Sequence, residues 1–131
     1  MLKKIIPILM ILQTILLADF VSIDANELQK LEKEGAPVID IRTPGEWRET
    51  GVIPGAHKIM FFDERGGYNV QKFLEQLFAV APDKSKPIIL VCRTGSRTKV
   101  VGDFLDKQIG YQHVKDLRGG IMFGWRGKLE K

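Results

Sequence analysis

The chain has 131 residues, of which 44% are hydrophobic and 27% charged, a mixture typical of one globular domain rather than of fibrous or disordered proteins. Its single cysteine, Cys92, excludes an intramolecular disulfide and any zinc or iron–sulfur site built from four cysteines. The net charge is +4, but two of the basic residues lie in residues 1–18, which contain no acidic residue. The nearly balanced remainder does not indicate nucleic-acid binding.

The first 18 residues have the pattern of a secretory signal peptide. Lys3 and Lys4 precede an apolar run from Ile5 to Leu17, and the small residue Ala18 follows that run. As a helix the run would extend about 20 Å, less than the roughly 30 Å of a bilayer's hydrocarbon layer. We therefore expect cleavage after Ala18 and export, for example to the periplasm. The alternative is an uncleaved anchor formed by residues 5–17, and only then would a membrane be a partner.

From residue 22 onwards, helix and strand patterns alternate along the chain. Helix starts are indicated by capping residues, and strands by short runs of β-branched residues. The first predicted elements are a helix from Asp24 to about Glu34, a strand at Pro37–Arg42, a short helix from Thr43 to about Arg48, a turn at Gly51–Ala56, a strand at Lys58–Phe62 and a helix at Val70–Val80.

The strongest strand signal is Pro87–Val91, whose continuous apolar character is typical of a strand covered on both faces. A helix over Thr98–Gln108 and a strand at His113–Leu117 follow it. The alternation predicts an α/β fold with a central, mainly parallel sheet flanked by helices on both faces. In such sheets functional sites lie at the carboxyl ends of the strands, which is where Cys92 stands.

The loop after Cys92 has the composition of an anion-binding cradle. A short loop between a buried strand and a helix turns backbone N–H groups inward, and the helix adds the positive end of its dipole. Such a setting favours a reactive thiolate, and two arginines are placed to pair with an anionic sulfur donor. The alternative for a lone cysteine is a small buried hydrophobe. The predicted substrate-binding residues of the loop are Arg93, Thr94, Gly95, Ser96 and Arg97.

Three segments of the chain resemble the motifs of a single-domain rhodanese, a sulfurtransferase. The active-site loop C-R-x-G-x-R-[ST] of that family is matched by Cys92 to Thr98. The family's D-x-R…E…G-H-I-P-G-A motif is similar to Asp40, Arg42 and Glu46, followed by Gly51, Ile53, Pro54, Gly55 and Ala56. The family's closing L-x-G-G…W pattern is similar to Leu117, Gly119, Gly120 and Trp125. Val52 departs from the first motif, where the family often has histidine. The resemblance covers residues 22–127.

The resemblance implies a rhodanese-like fold and a reaction in which Cys92 accepts a sulfane sulfur as a persulfide. The donor would be a small anion such as thiosulfate or polysulfide, or another persulfide, and the acceptor cyanide, a thiol or a protein. No metal or organic cofactor and no nucleic acid is expected. Asp40, Arg42 and Thr98 are expected to support the loop, the first two as an ion pair beneath it.

Four other functions remain open from the sequence. A phosphatase or arsenate reductase would also use a cysteine loop, although such sites resemble C-x5-R and here only four residues separate Cys92 from Arg97. A cysteine–histidine protease would need His57 or His113 beside the thiol. A non-catalytic binding module would keep the fold without the chemistry. A redox sensor would oxidise Cys92 without transferring sulfur.

Overall fold

The computed structural model describes residues 20–131, so the predicted signal segment, residues 1–18, lies outside the described residues. Five strands alternate with four α-helices. The strands are β1 (Val21–Ile23), β2 (Val38–Asp40), β3 (His57–Lys58), β4 (Ile88–Val91) and β5 (Val114–Leu117), and the α-helices are α1 (Ala25–Lys33), α2 (Pro44–Thr50), α3 (Val70–Val80) and α4 (Ser96–Phe104). Two π-helical segments follow, at Leu105–Ile109 and Gly120–Gly124. Within residues 20–131 no helix has the length and hydropathy needed to cross a membrane.

The five strands form one sheet in the order β1-β5-β4-β2-β3, and every pair is parallel. The central strand β4 is buried along its whole length, as its continuous apolar run predicts. The sheet is therefore entirely parallel, where the sequence predicted a mainly parallel one.

Alternate residues of β4 pack into two hydrophobic cores, one on each face of the sheet. Ile88 and Leu90 pack with α3, α4 and the segment after α4, and Cys92 continues this face. Ile89 and Val91 pack with Leu28 of α1 and with the second π-helical segment. Because strand side chains alternate between faces, the phase of β4 directs the Cys92 side chain to the α4 side of the sheet. The predicted helices on both faces are confirmed.

Capping side chains set the helix starts that the sequence predicted. Thr43 and Glu46 form a reciprocal capping box at α2, and Asn69 accepts a hydrogen bond from a backbone N–H in the first turn of α3. At α1 Asp24 accepts from the Glu27 backbone N–H. Helix α3 runs over Val70–Val80, the range that the sequence predicted.

Several predicted boundaries were wrong. The strand predicted at Pro37–Arg42 contains only Val38–Asp40, and the helix predicted over Thr98–Gln108 continues beyond Phe104 as the first π-helical segment. Helix α4 begins at Ser96, two residues before the predicted start, because Gly95 serves as a helix N-cap that has no side chain to mark it. The loop between Cys92 and α4 is correspondingly shorter.

In place of the strand predicted at Lys58–Phe62, β3 contains only His57 and Lys58, although Ile59 and Phe61 still donate their backbone N–H groups to the carbonyl oxygens of Asp40 and Ile41. The Phe61 side chain packs into the core against Phe73, with ring centroids 4.8 Å apart.

Candidate active site

Cys92 lies directly after β4 and is 1% exposed. The backbone N–H of Gly95 donates a hydrogen bond to its sulfur, with an N to Sγ distance of 3.2 Å. Gly95 has φ +99°, in the left-handed region where glycine is favoured, and α4 starts at the next residue. The sulfur therefore lies at the N-terminus of a helix, with the favourable end of the helix dipole towards it.

Thr98 connects the sulfur to a buried carboxylate. Its Oγ1 lies 3.7 Å from Cys92 Sγ and 2.6 Å from Oδ2 of Asp116, and the Gly95 carbonyl oxygen is 3.1 Å away. A hydroxyl has one proton, so Thr98 donates to the closer and charged acceptor, Asp116. The support role predicted for Thr98 thus has a geometric basis in the loop.

Asp116 is a site residue that the sequence analysis missed. It is fully buried and also accepts hydrogen bonds from Lys99 Nζ at 2.7 Å and from Ser22 Oγ at 2.5 Å. It stands near the carboxyl end of β5, the strand beside β4. A charged residue among apolar ones at the end of a predicted parallel strand was the signal that could have found it.

The second π-helical segment closes the loop from the β5 side. Ile121 donates its backbone N–H to the Cys92 carbonyl oxygen, and Met122 donates its own to that of Arg93, both with N to O distances of 3.0 Å. Gly119 and Gly120, which precede these donors, both have positive φ. The closing G-G motif therefore lets this segment approach the backbone of the cysteine loop.

Arg97 faces Glu46 of α2 in a bidentate ion pair, with N to O distances of 2.8 and 2.7 Å. The hydrogen bonds from Arg97 lower the pKa of Glu46 to about 2, against the effect of burial, and Thr43 adds to the lowering. The Glu46 carboxylate in turn raises the pKa of Arg97, with smaller contributions from the charges of Cys92 and Asp40. The pair fixes the Arg97 side chain between α2 and the cysteine loop.

This pair predicts a pH-dependent stability. Because the pKa of Glu46 is about 2 in the folded chain and near 4.5 as an isolated group, its stabilisation is fully present above about pH 5 and is lost as the pH falls towards 2. Solvent screens the partly exposed pair, so we expect Glu46→Gln to cost about 1–2 kcal/mol at pH 7 and almost nothing at pH 2. Urea unfolding of both proteins across this range measures the difference. A cost that stays constant with pH would contradict the assignment.

Asp40 and Arg42 form a buried ion pair, each with a side chain 1% exposed, in which the shortest N to O distance is 2.8 Å. Arg42 also donates to Thr50 Oγ1 and to the Gly51 carbonyl oxygen, both at 2.8 Å. These bonds attach the pair to the end of α2, and Arg42 also lines a cavity together with Arg93 of the cysteine loop. The predicted support of the loop by this pair stays a prediction. The pair is linked to the loop by the backbone bond from Ile41 to Val91.

The remaining loop residues surround the mouth of the site. Arg93, Thr94 and Ser96 are exposed, in contrast to the buried Gly95 and the half-buried Arg97. The structure thus places Gly95 and Thr98 next to the Cys92 sulfur. Arg97 lies between them in the chain and pairs with Glu46. The substrate-binding roles assigned to the loop from the sequence stay predictions.

Parts of this chain are similar in sequence to known proteins. Adenylyltransferase and sulfurtransferase MOCS3 from Drosophila persimilis is 26% identical over 102 residues, which are 78% of this chain and 21% of that protein. The chain therefore spans about a fifth of the length of that relative. The uncharacterized protein RC0915 from Rickettsia conorii is 26% identical over 95 residues, which cover 70% of this chain and 73% of that protein.

Two solved structures share the fold. Rv0390 from M. tuberculosis aligns with a TM-score of 0.63 at 21% identity, over 76% of this chain and 78% of that one. A rhodanese-related protein from Thermoplasma volcanium aligns with a TM-score of 0.53 at 24% identity, over 76% of this chain and 85% of that one. The family model described as the rhodanese-like domain matches residues 24–127, most of the chain. This chain, with its cysteine loop at the carboxyl end of a parallel sheet, belongs to the rhodanese-like domain family.

Proposed function

We propose that this protein is a sulfurtransferase that carries a sulfane sulfur on Cys92. The observation that supports this proposal best is the position of the Cys92 sulfur at the start of α4, where it accepts the Gly95 N–H. The helix dipole and the fixed N–H donor would stabilise an anionic group held at that position, without a proton transfer. That setting suits both a thiolate and the terminal sulfur of a persulfide.

The reaction has two steps. The Cys92 thiolate attacks the outer sulfur of thiosulfate, the S–S bond of the donor breaks, and its electron pair leaves with sulfite. The product, a Cys92 persulfide, has a terminal anionic sulfur. In the second step an acceptor nucleophile attacks that terminal sulfur, the new S–S bond breaks, and its electron pair returns to Cys92 Sγ. Neither step requires an added oxidant, reductant or metal.

Arginines supply the positive charge at the mouth of the site. Both terminal nitrogens of Arg97 donate to the Glu46 carboxylate, while the exposed Arg93 is not part of that pair. We assign both arginines to the binding of an anionic donor such as thiosulfate. Thr94 and Ser96, exposed in the same loop, complete the polar rim that we assign to donor binding.

The relatives agree with this proposal at the level of reaction type. The Drosophila MOCS3 proteins are named as sulfurtransferases, and the segment they share with this chain includes Cys92. We extend the proposal to location, with residues 1–18 as an export signal, on the pattern of their sequence alone. Amino-terminal sequencing of the protein recovered from the periplasm would test this. A mature chain that starts at Asp19 supports export, and an intact start in the cytosol contradicts it.

Transfer from thiosulfate to cyanide, followed as thiocyanate, tests the proposed activity. We expect turnover by the wild type and none above background by Cys92→Ser, because serine cannot form a persulfide. Val100→Ser changes an exposed residue on the outer side of α4 and serves as the matched control, with turnover within twofold of wild type. No turnover with thiosulfate or polysulfide, combined with hydrolysis of an aryl phosphate, would replace the proposal with a phosphatase.

A further inference from the structure

A buried carboxylate stands one side chain away from the Cys92 sulfur. Asp116 is fully buried, and its Oδ2 accepts a hydrogen bond from Thr98 Oγ1, which lies 3.7 Å from Cys92 Sγ. Ser22 Oγ donates to the other carboxylate oxygen. Since Thr98 belongs to α4 and Ser22 to β1, these two bonds join both elements to β5.

The negative charge of this carboxylate opposes the reaction proposed above. Cys92 is anionic when it attacks the donor, and the persulfide that follows is anionic at its outer sulfur. Two like charges repel each other strongly where both groups are buried, as Asp116 and Cys92 are, because little water screens them. Thr98 does not offset this repulsion, since its single proton is donated to Asp116. The site therefore needs a positive charge beside the carboxylate.

Lys99 supplies that positive charge. Its Nζ lies 2.7 Å from Asp116 Oδ2 and 3.3 Å from the carbonyl oxygen of Gly95, the residue whose N–H donates to the sulfur. Within residues 20–131 no other basic side chain forms an ion pair with Asp116. The ammonium also lies over the Phe20 ring, 6.0 Å from its centroid. Although the Lys99 side chain is half exposed, three contacts thus hold its charge beside the cysteine loop.

We propose that Lys99 is a positioning residue of the sulfur site, whose ammonium neutralises the Asp116 carboxylate and so allows an anionic sulfur to form nearby. The inference rests on the proposed sulfurtransferase function, because the thiolate and the persulfide are the anions concerned. Removing the lysine charge alone should disfavour the anionic sulfur, whereas removing the carboxylate charge alone should favour it. A purely structural ion pair would give a loss in both cases.

The rate at which iodoacetamide alkylates the full chain tests these opposite signs. This reagent is neutral and reacts with a thiolate, and Cys92 is the single cysteine. At pH 7 and low salt we expect Lys99→Met to lower the rate about tenfold and Asp116→Asn to raise it about threefold. The asparagine side chain keeps an oxygen that accepts from Thr98. The double variant should return to within twofold of wild type.

Two lysine variants serve as controls. Lys99→Arg keeps the positive charge and should stay within twofold of wild type, and the comparison of Lys99→Met with Lys99→Arg is decisive even if Asp116→Asn does not fold. Lys107→Met removes an exposed lysine that pairs with Asp103 and should match wild type. An unchanged rate in Lys99→Met would overturn the inference. So would a loss in Asp116→Asn that deepens in the double variant, since the pair would then be structural only.

Sulfur transfer from thiosulfate to cyanide separates this inference from the proposed function. Thiocyanate formation should fall about tenfold in Lys99→Met and recover in the double variant. No thiocyanate from the wild type would refute the proposed function, whereas the alkylation rates are measured without any sulfur donor. If Lys99→Met loses transfer but alkylates at the wild-type rate, Lys99 attracts the anionic donor instead of neutralising Asp116, and the inference is wrong.

Discussion

Replacing Arg42 by methionine should destabilise the protein by about 3–5 kcal/mol, because the substitution leaves the Asp40 carboxylate buried without its partner. The loss extends beyond the ion pair, since Arg42 also holds Thr50 and the Gly51 carbonyl at the end of α2. For a domain of this size the change lowers the melting temperature by roughly 10–20 °C. Thermal and urea unfolding of both proteins measure it.

Two control variants make this prediction specific. Lys107→Met removes one partner of the exposed pair with Asp103 and should leave the midpoint of urea unfolding unchanged, because solvent screens this pair. Asp40→Asn combined with Arg42→Met removes both charges and should cost less than Arg42→Met alone, since no uncompensated charge remains buried. If Arg42→Met costs under about 1 kcal/mol, the pair does not stabilise this edge of the sheet.

Gly120→Ala should strongly disturb the cysteine loop. An added Cβ would lie 2.5 Å from the carbonyl carbon and oxygen of Arg93 and 2.6 Å from the Cys92 carbonyl oxygen. These are backbone atoms of the cysteine loop, so they cannot move aside without displacing Cys92. With φ +61° adding strain, we expect a loss of about 3 kcal/mol or more and at least a tenfold loss of sulfur transfer.

Gly66→Ala provides the matched control for Gly120. Gly66 has φ +81°, but nothing lies within 4 Å of an added Cβ. It should therefore show only the cost of a left-handed alanine, about 1–2 kcal/mol, with transfer activity unchanged. Unfolding in urea and thiocyanate formation would be measured on both variants. Equal behaviour of the two would mean that Gly120 does not determine the position of the cysteine loop.

Local sequence signals predicted those parts of the fold that depend on neighbouring residues. Helix α3 has the predicted range because Asn69 caps it and its apolar residues recur at helical spacing. The position of Cys92 followed from the apolar run that forms β4. At Lys58–Phe62 the predicted strand was too long, since an apolar run does not show where regular strand pairing ends, and Phe61 fills the core beside α3.

The site was predicted less completely because its contacts join distant parts of the chain. Nothing local marks the pairing of Arg97 with Glu46, which are 51 residues apart. Thr98 of α4 donates a hydrogen bond to Asp116 of β5. The position of Asp116 near the cysteine loop is known only once β5 is placed beside β4. The closing glycines were identified through the family motif, but the backbone contact that explains them required coordinates.

The intact mass of the purified protein, before and after thiosulfate and then after cyanide, tests the central claim most directly. The account predicts a gain of one sulfur atom with thiosulfate, its removal by cyanide, and no gain in Cys92→Ser. We expect this result because the buried Cys92 sulfur accepts the Gly95 N–H at the start of α4. A wild-type protein that gains no sulfur from thiosulfate or polysulfide would contradict the account, and Cys92 would then serve a binding module or a redox-sensing thiol.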